Sequence, residues 1–159
     1  MTKKYVQDYM PDNVCFGCGT QNPDGLKIRS YIEGDECVSV WQSQSKYHGW
    51  ETVINGGILA TLIDCHCMAT ALSAAYDAEG REWGSDPVYR YATGTITVRY
   101  IKPTSNEHPV TLRARMVGMT GRKSQVHCDV FVEGEKTAEG DVVAIRVMEG
   151  RPEGETPFR

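Results

Sequence analysis

The chain lacks any uninterrupted apolar run of the roughly 18 to 20 residues that a helix needs to span a bilayer. Its first residues, Met1 to Asp8, also lack the apolar stretch of a secretory signal peptide. We therefore expect no membrane partner and a cytoplasmic location.

Long clusters of Lys and Arg are missing as well, and the formal net charge is −4. Nucleic-acid-binding domains usually carry a basic patch or stripe. These features argue against nucleic acid or an anionic membrane surface as a partner. A small anionic ligand stays open where basic residues gather locally.

Low-complexity segments are absent, and the apolar share of 40% and charged share of 24% are typical of a folded chain. A length of 159 residues fits one domain spanning 1–159, with an N-terminal leader of about 1–25. Because no secretory signal accompanies the six cysteines, we expect reduced thiols rather than disulfides.

Gly and Pro are absent from Ile58 to Tyr76, where Ala and Leu are frequent. This stretch exceeds the length of an ordinary strand and predicts one long helix of close to 30 Å. Asn55 is a favourable N-cap, and the segment Asp77 to Gly80 provides a C-terminal stop. Apolar residues surround the helix almost completely, so we expect it to be buried on most sides.

Alternating polar and apolar residues predict strands on both sides of this helix. The predicted strands are Leu26 to Ile32, Cys37 to Trp41, Thr93 to Ile101, Val110 to Val117, Ser124 to Val132 and Thr137 to Val147. No helices lie between the last four, which excludes a wound α/β fold. The pattern predicts an α+β fold in which an antiparallel sheet wraps around one central helix.

Asp64 is the only carboxylate between Glu51 and Asp77. Burial of a lone carboxylate costs several kcal/mol unless it is hydrogen-bonded or paired. One interpretation is a structural Asp at a helix kink or a subunit contact. The other is a nucleophile or general base in a desolvated pocket.

Two glycines, Gly56 and Gly57, open the same helix after Asn55. The first N–H groups of a helix have no intrahelical acceptor, and glycines let a ligand approach them closely. Such groups suit a developing oxyanion. A tight turn without any ligand is the alternative interpretation.

Several motifs follow one another in a specific order. They are Cys15 to Leu26, His48-Gly49-Trp50, Asn55-Gly56-Gly57, Leu62-Ile63-Asp64 and the run from Thr93 to Pro103. Over roughly residues 15 to 148 this order resembles the hotdog-fold acyl-CoA thioesterases of the phenylacetate-degradation and THEM4-like type. The resemblance implies a hotdog fold with five to six strands.

The resemblance also implies hydrolysis of an acyl-CoA or aryl-CoA thioester at a site shared between two subunits of a homodimer or homotetramer. No cofactor is implied, because CoA is part of the substrate. Asp64 matches the catalytic carboxylate, and Gly56 and Gly57 match the residues whose N–H groups polarise the carbonyl. Thr93 matches a threonine that assists from the neighbouring subunit, and His48 is placed at the substrate.

Asn55 stands where this family usually has a His, and Asn cannot titrate near neutral pH. Catalysis would therefore rest on Asp64 and the helix N-terminus. A noncatalytic acyl-CoA binding module is the alternative function. A hydratase is disfavoured, because His66 follows Asp64 by two positions and points to another helix face.

Arg122 and Lys123 follow Gly121 at a turn where a local positive patch could meet the phosphates of CoA. A solvated face is the alternative interpretation of these charges.

Cys15-x-x-Cys18 has the spacing of zinc ligands. Cys65 and Cys67, however, point about 200 degrees apart on a helix, so both could not easily reach one metal. We expect buried thiols and no metal. A zinc ion held by Cys15, Cys18 and two further residues stays an open alternative.

Overall fold

The Gly- and Pro-free segment forms helix α1, Gly56–Ala78, in the computed structural model, which describes residues 2–149. The helix is two residues longer at each end than predicted. Asn55 is its N-cap, as expected, because its Oδ1 accepts hydrogen bonds from the N–H groups of Gly57 and Ile58 at 2.8 and 3.3 Å. Gly80, at φ +62, follows the C-terminal end.

Six strands form one antiparallel sheet, in agreement with the predicted α+β hotdog architecture. They are β1 Tyr31–Glu33, β2 Glu36–Trp41, β3 Tyr89–Tyr100, β4 Val110–Thr120, β5 Lys123–Val132 and β6 Glu135–Glu149. Their order in the sheet is β1-β2-β4-β5-β6-β3. Within residues 2–149, strand β3 therefore lies at one edge of the sheet and is hydrogen-bonded only to β6. The expected domain limits at residue 1 and at residues 150–159 lie outside the described residues.

The first predicted strand, Leu26 to Ile32, was largely wrong, because the ladder begins only at Tyr31. Backbone N–H groups of this segment donate instead to the carbonyl oxygens of Phe16 and Gly17 in the leader. A period-two pattern indicates which side chains are buried, but it does not show which segment accepts the backbone hydrogen bonds.

Strands β3, β4 and β6 also extend two or more residues beyond their predicted limits. Strand β3 begins four residues before Thr93, its predicted start. Strand β4 continues to Thr120 through an irregularity between Met116 and Gly118. A bulge of this kind lets a strand pass a glycine that otherwise signals a turn.

The concave face of the sheet packs against α1. Inward residues of β4, β5 and β6 meet the buried side of the helix, as expected from their alternation. They include Leu112, Val126, Cys128, Val130, Val142 and Ala144, which pack with Leu62, Ile63 and Cys67 of α1. At roughly 1.5 to 3 kcal/mol for each fully buried large aliphatic side chain, this contact fixes the helix on the sheet.

Helix α1 corrects the expectation that no segment is suited to span a membrane. Among the described residues it is long and apolar enough by length and composition, with a mean hydropathy of 1.5. Of the 18-residue stretch of the helix that has this composition, 67% is buried inside the fold. Such burial is typical of a core helix around which a sheet is wrapped.

Candidate active site

Asp64 lies about two turns into α1 and is half-buried. Thr93 of β3 donates a hydrogen bond from Oγ1 to Asp64 Oδ1 at 2.6 Å. The sequence placed Thr93 beside the carboxylate but expected it from a neighbouring subunit. Within one chain β3 passes directly over the helix and brings Thr93 to Asp64. A contribution of Thr93 from a neighbouring subunit stays a prediction.

The electrostatic surroundings of Asp64 favour its protonated form. Burial raises the pKa of the Asp64 carboxyl above its ordinary value, the hydrogen bond from Thr93 opposes this shift, and negative charge on Cys15 adds to it. A carboxylate with a raised pKa is a stronger base and is suited to accept a proton from water or to attack a carbonyl.

Asp64 and Thr93 open into a cavity of about 300 Å³. Mostly apolar side chains from α1, the start of β3 and the leader form its walls. They include Tyr9, Met10, Met68, Leu72, Tyr76, Val88 and Tyr91. The arrangement places one acid–base group at the side of a space that fits an apolar acyl or aryl group.

The start of the helix lies at a different cavity, of about 720 Å³. Gly49, Trp50, Asn55 and Gly56 line it together with Tyr100 of β3. Tyr100, which the sequence analysis missed, donates from its hydroxyl to the Gly56 carbonyl oxygen at 2.6 Å. The available signal in the sequence was a tyrosine at the end of the strand that passes the helix start, which could have predicted this contact.

The two glycines have different surroundings. The N–H of Gly57 donates to Asn55 Oδ1 at 2.8 Å, so that donor is engaged within the cap. The N–H of Gly56 is the first of the helix and has no intrahelical acceptor by position. Of the two, Gly56 is the better candidate to polarise a carbonyl.

One chain does not bring the helix start and Asp64 together. Eight residues separate Gly56 from Asp64, which corresponds to about 12 Å along the helix axis. A single carbonyl oxygen therefore cannot contact the Gly56 N–H while its carbon lies at the Asp64 carboxylate of the same chain.

The predicted substrate-binding residues lie apart from the Asp64 cavity. His48 forms an isolated bridge with Ile54 in the loop before the helix. Arg122 and Lys123 are exposed at the turn between β4 and β5. Ser124, next to Lys123, pairs with Ala144 of β6, and Ala144 pairs with Thr93 of β3. The turn therefore lies at the same end of the sheet as the Asp64 cavity, although its residues do not line that cavity.

His66 is fully buried on the far side of α1, as the helical periodicity predicted. Its Nδ1 pairs with Ser30 Oγ at 2.8 Å and its Nε2 with the Cys37 carbonyl oxygen at 2.9 Å. Burial lowers the pKa of His66 to about 4. Its neutral, fully bonded ring takes no part in the Asp64 site.

Three thiols meet next to Asp64. The sulfur atoms of Cys15, Cys18 and Cys65 lie within 4.8 Å of one another and border the same cavity. Hydrogen bonds from Cys18 and Cys65 lower the pKa of Cys15 to about 2, and the bond to Cys15 raises the pKa of Cys18 to about 11. The spacing of Cys15 and Cys18 is that of zinc ligands, as the sequence indicated, but the sequence did not predict that Cys65 joins this pair without Cys67.

His127, Asp129 and Glu139 form a second group with metal-ligand atoms, on the outer face of the sheet. Lys136 already bridges both carboxylates through its Nζ. This group is therefore an ion-pair network.

A curved antiparallel sheet around one long helix is the hotdog fold, which is found in enzymes and in binding proteins. The sequence model of the thioesterase superfamily matches residues 51–139. The chain belongs to this superfamily.

Solved structures have the same fold. A thioesterase superfamily protein from Shewanella loihica PV-4 is 22% identical, with a TM-score of 0.60, covering 79% of this chain and 91% of that one. The E. coli PaaI protein from the phenylacetic acid degradation operon is 12% identical, with a TM-score of 0.64 and coverages of 79% and 83%. A Streptococcus mutans UA159 protein bound to acetyl CoA is 13% identical, with a TM-score of 0.62 and coverages of 78% and 91%. The comparison with curated proteins gives no match.

Proposed function

We propose that the protein hydrolyses acyl-CoA or aryl-CoA thioesters to a free acid and CoA. The observation that carries the proposal is the Asp64–Thr93 pair at the edge of a mostly apolar cavity. Membership of the thioesterase superfamily and the acetyl CoA bound to the Streptococcus mutans protein support this choice of substrate.

In the proposed reaction Asp64 acts on the thioester carbonyl in one of two ways. As a general base it takes a proton from water, the hydroxide adds to the carbonyl carbon, and the carbon–sulfur bond breaks. The CoA thiolate then takes up the proton. As a nucleophile, Asp64 displaces the thiolate to form an anhydride, which water then hydrolyses. Thr93 holds Oδ1 in both cases, so that Oδ2 is the oxygen directed to the substrate.

The Gly56 N–H lies too far along the helix to reach a carbonyl oxygen at Asp64 of the same chain. We propose that a second copy brings its Gly56 N–H to this cavity, so that the active site is shared in a homodimer. The exposed edge of β3 and the exposed apolar side chains near the helix start support such a pairing. Trp50 is 83% exposed, and Tyr100 and Ile101 are each 50% exposed.

The proposed role of Asn55 is to hold the helix start in place of the family's usual His. Its Oδ1 satisfies the Gly57 and Ile58 N–H groups and leaves the first N–H, that of Gly56, to the ligand. We place Arg122 and Lys123 at the phosphates of CoA, with His48 beside the helix start.

The test is a panel of acyl-CoA and aryl-CoA substrates assayed with wild type and with Asp64→Asn. We expect kcat to fall by roughly 10²- to 10⁴-fold, because the amide cannot accept a proton or attack carbon. Asp35→Asn, in the exposed turn between β1 and β2, is the matched control and should keep wild-type activity. Equal turnover by wild type and Asp64→Asn would refute the assignment.

Asn55 also favours a second candidate, a noncatalytic acyl-CoA binding module, because the usual imidazole is missing at the helix start. That function predicts calorimetric binding of acyl-CoA without release of free CoA for any member of the panel. Turnover of one member decides for the enzyme.

A further inference from the structure

The leader and the central helix meet through sulfur. Cys15 and Cys18 belong to one tight turn of the leader, in which the Gly19 N–H donates to the Cys15 carbonyl oxygen at 2.8 Å. Cys65 reaches this turn from α1, and its Sγ lies 3.7 Å from the Cys15 Sγ. Cys65 follows Cys18 by 47 positions in the sequence, yet its sulfur lies beside the sulfurs of Cys15 and Cys18.

Two N–H donors point at the sulfurs of the leader. The Gly17 N–H points at Cys15 Sγ at 3.4 Å, and Asn13 Nδ2 donates to Cys18 Sγ at 3.4 Å. N–H donors of this kind stabilise negative sulfur and orient metal-ligating groups. Gly17 also lets the Cys65 sulfur approach the leader turn, because a Cβ at position 17 would collide with Cys65 Sγ.

We propose that Cys15, Cys18 and Cys65 bind one Zn²⁺ ion. Zinc takes thiolates tetrahedrally at about 2.3 Å, which sets two sulfurs about 3.8 Å apart. The Cys15–Cys65 separation of 3.7 Å has this value, and all three sulfurs fit within 4.8 Å. Small side-chain rotations complete the tripod.

The fourth position is left for a water molecule from the cavity that Asp64 borders, because the three sulfurs line the same space. The ion would join the leader to α1 and hold one wall of that cavity, which includes Asn13. This site does not depend on the proposed reaction and is testable without substrate.

The experiment uses the full chain, purified with a reductant, stripped of metal with a chelator and then titrated with Zn²⁺ or Co²⁺. Native mass spectrometry should show one zinc ion per chain. The Co²⁺ form should show the intense thiolate-to-cobalt charge-transfer band and the visible bands of a tetrahedral site.

Cys15→Ser, Cys18→Ser and Cys65→Ser should each weaken zinc affinity by more than about 100-fold, since even an outer partner of a ligand is worth roughly 10- to 100-fold. Cys128→Ala is the matched control, because this thiol is buried on β5 and faces Cys67. It should keep wild-type affinity. Cys15 is exposed, so its variant should fold normally, as circular dichroism would verify.

Three results would overturn the proposal. They are the absence of stoichiometric zinc in the reduced wild type, a cobalt spectrum without thiolate bands, and equal affinity in the wild type and in Cys15→Ser. A disulfide that forms between Cys15 and Cys65 in air, with no zinc taken up by the reduced protein, would assign the cluster to redox chemistry instead.

Discussion

The Asp64 carboxylate is tolerated within helix α1 because its surroundings are only partly apolar. Asp64 is half-buried, accepts a short hydrogen bond from Thr93 and faces a cavity. The same burial that disfavours the charged form raises the pKa of the Asp64 carboxyl and makes it a better base. The residue that appeared costly in the sequence is therefore the one with the clearest chemistry.

Thr93 is expected to position Asp64 through its hydroxyl. Thr93→Val keeps the shape but removes the hydrogen bond, and a bond to a charged group is worth about 1.5 to 3 kcal/mol. We expect kcat/KM to fall by roughly 10- to 100-fold, at about 1.4 kcal/mol for each factor of ten. Thr93→Ser keeps the hydroxyl and should remain within a few-fold of wild type in the same assay. Equal losses in the Val and Ser variants would contradict this role.

The sequence predicted helix α1 well. A long segment without Gly or Pro, preceded by Asn55, is a local signal, and only two residues at each end were missed. The leader was predicted worst, because the contact of Cys15 and Cys18 with Cys65 depends on how distant segments pack. Thr93 lies between these cases. The motif identified the residue, and the path of β3 brings its hydroxyl to the Asp64 carboxylate of the same chain.

The outer face of the sheet carries a cross-strand charge network centred on His127. Its two ring nitrogens lie 2.8 Å from Asp129 and from Asp141, and only the imidazolium donates from both. Glu139 of β6 lies 3.9 Å away, while Arg115 of β4 and Lys136 of β6 pair with Asp129. Partial burial lowers the pKa of His127, but the bonds to Asp141 and Asp129 outweigh this, so the net pKa is raised.

A raised folded-state pKa means that His127 contributes stability below its unfolded value of about 6.5 and loses it as the pH rises through the folded value. We expect the difference in unfolding free energy between wild type and His127→Gln to be about 1 kcal/mol near pH 6 and to shrink at alkaline pH. Urea unfolding across this pH range measures it. His108→Gln, at the turn before β4, is the control. A difference that stays constant with pH would show that the charge of His127 contributes nothing.

At the scale of the whole molecule, the two halves of the proposed site lie at different places on one chain. The cavity at Asp64 and the cavity at Gly56 have no lining residue in common. About 12 Å along the helix axis separates the Gly56 N–H from Asp64. An isologous dimer would satisfy this geometry. A two-fold axis that brought one helix start to the other copy's carboxylate would also bring the second helix start to the first copy's carboxylate. Each dimer would then hold two equivalent sites, each built from both copies.

This arrangement predicts that two inactive variants restore one another. Gly56→Pro removes the first helical N–H, and proline suits this position because Asn55 already has φ −56 and ψ 133, which a residue before proline adopts readily. Alone, it should lower kcat by roughly 10²- to 10³-fold, the usual cost of one oxyanion donor. In a heterodimer with Asp64→Asn, purified through two different affinity tags, one site is intact and the other carries both defects. The heterodimer should therefore regain about half of the wild-type activity per dimer. If each site lay within a single chain, every chain would carry a defect and the heterodimer would stay inactive.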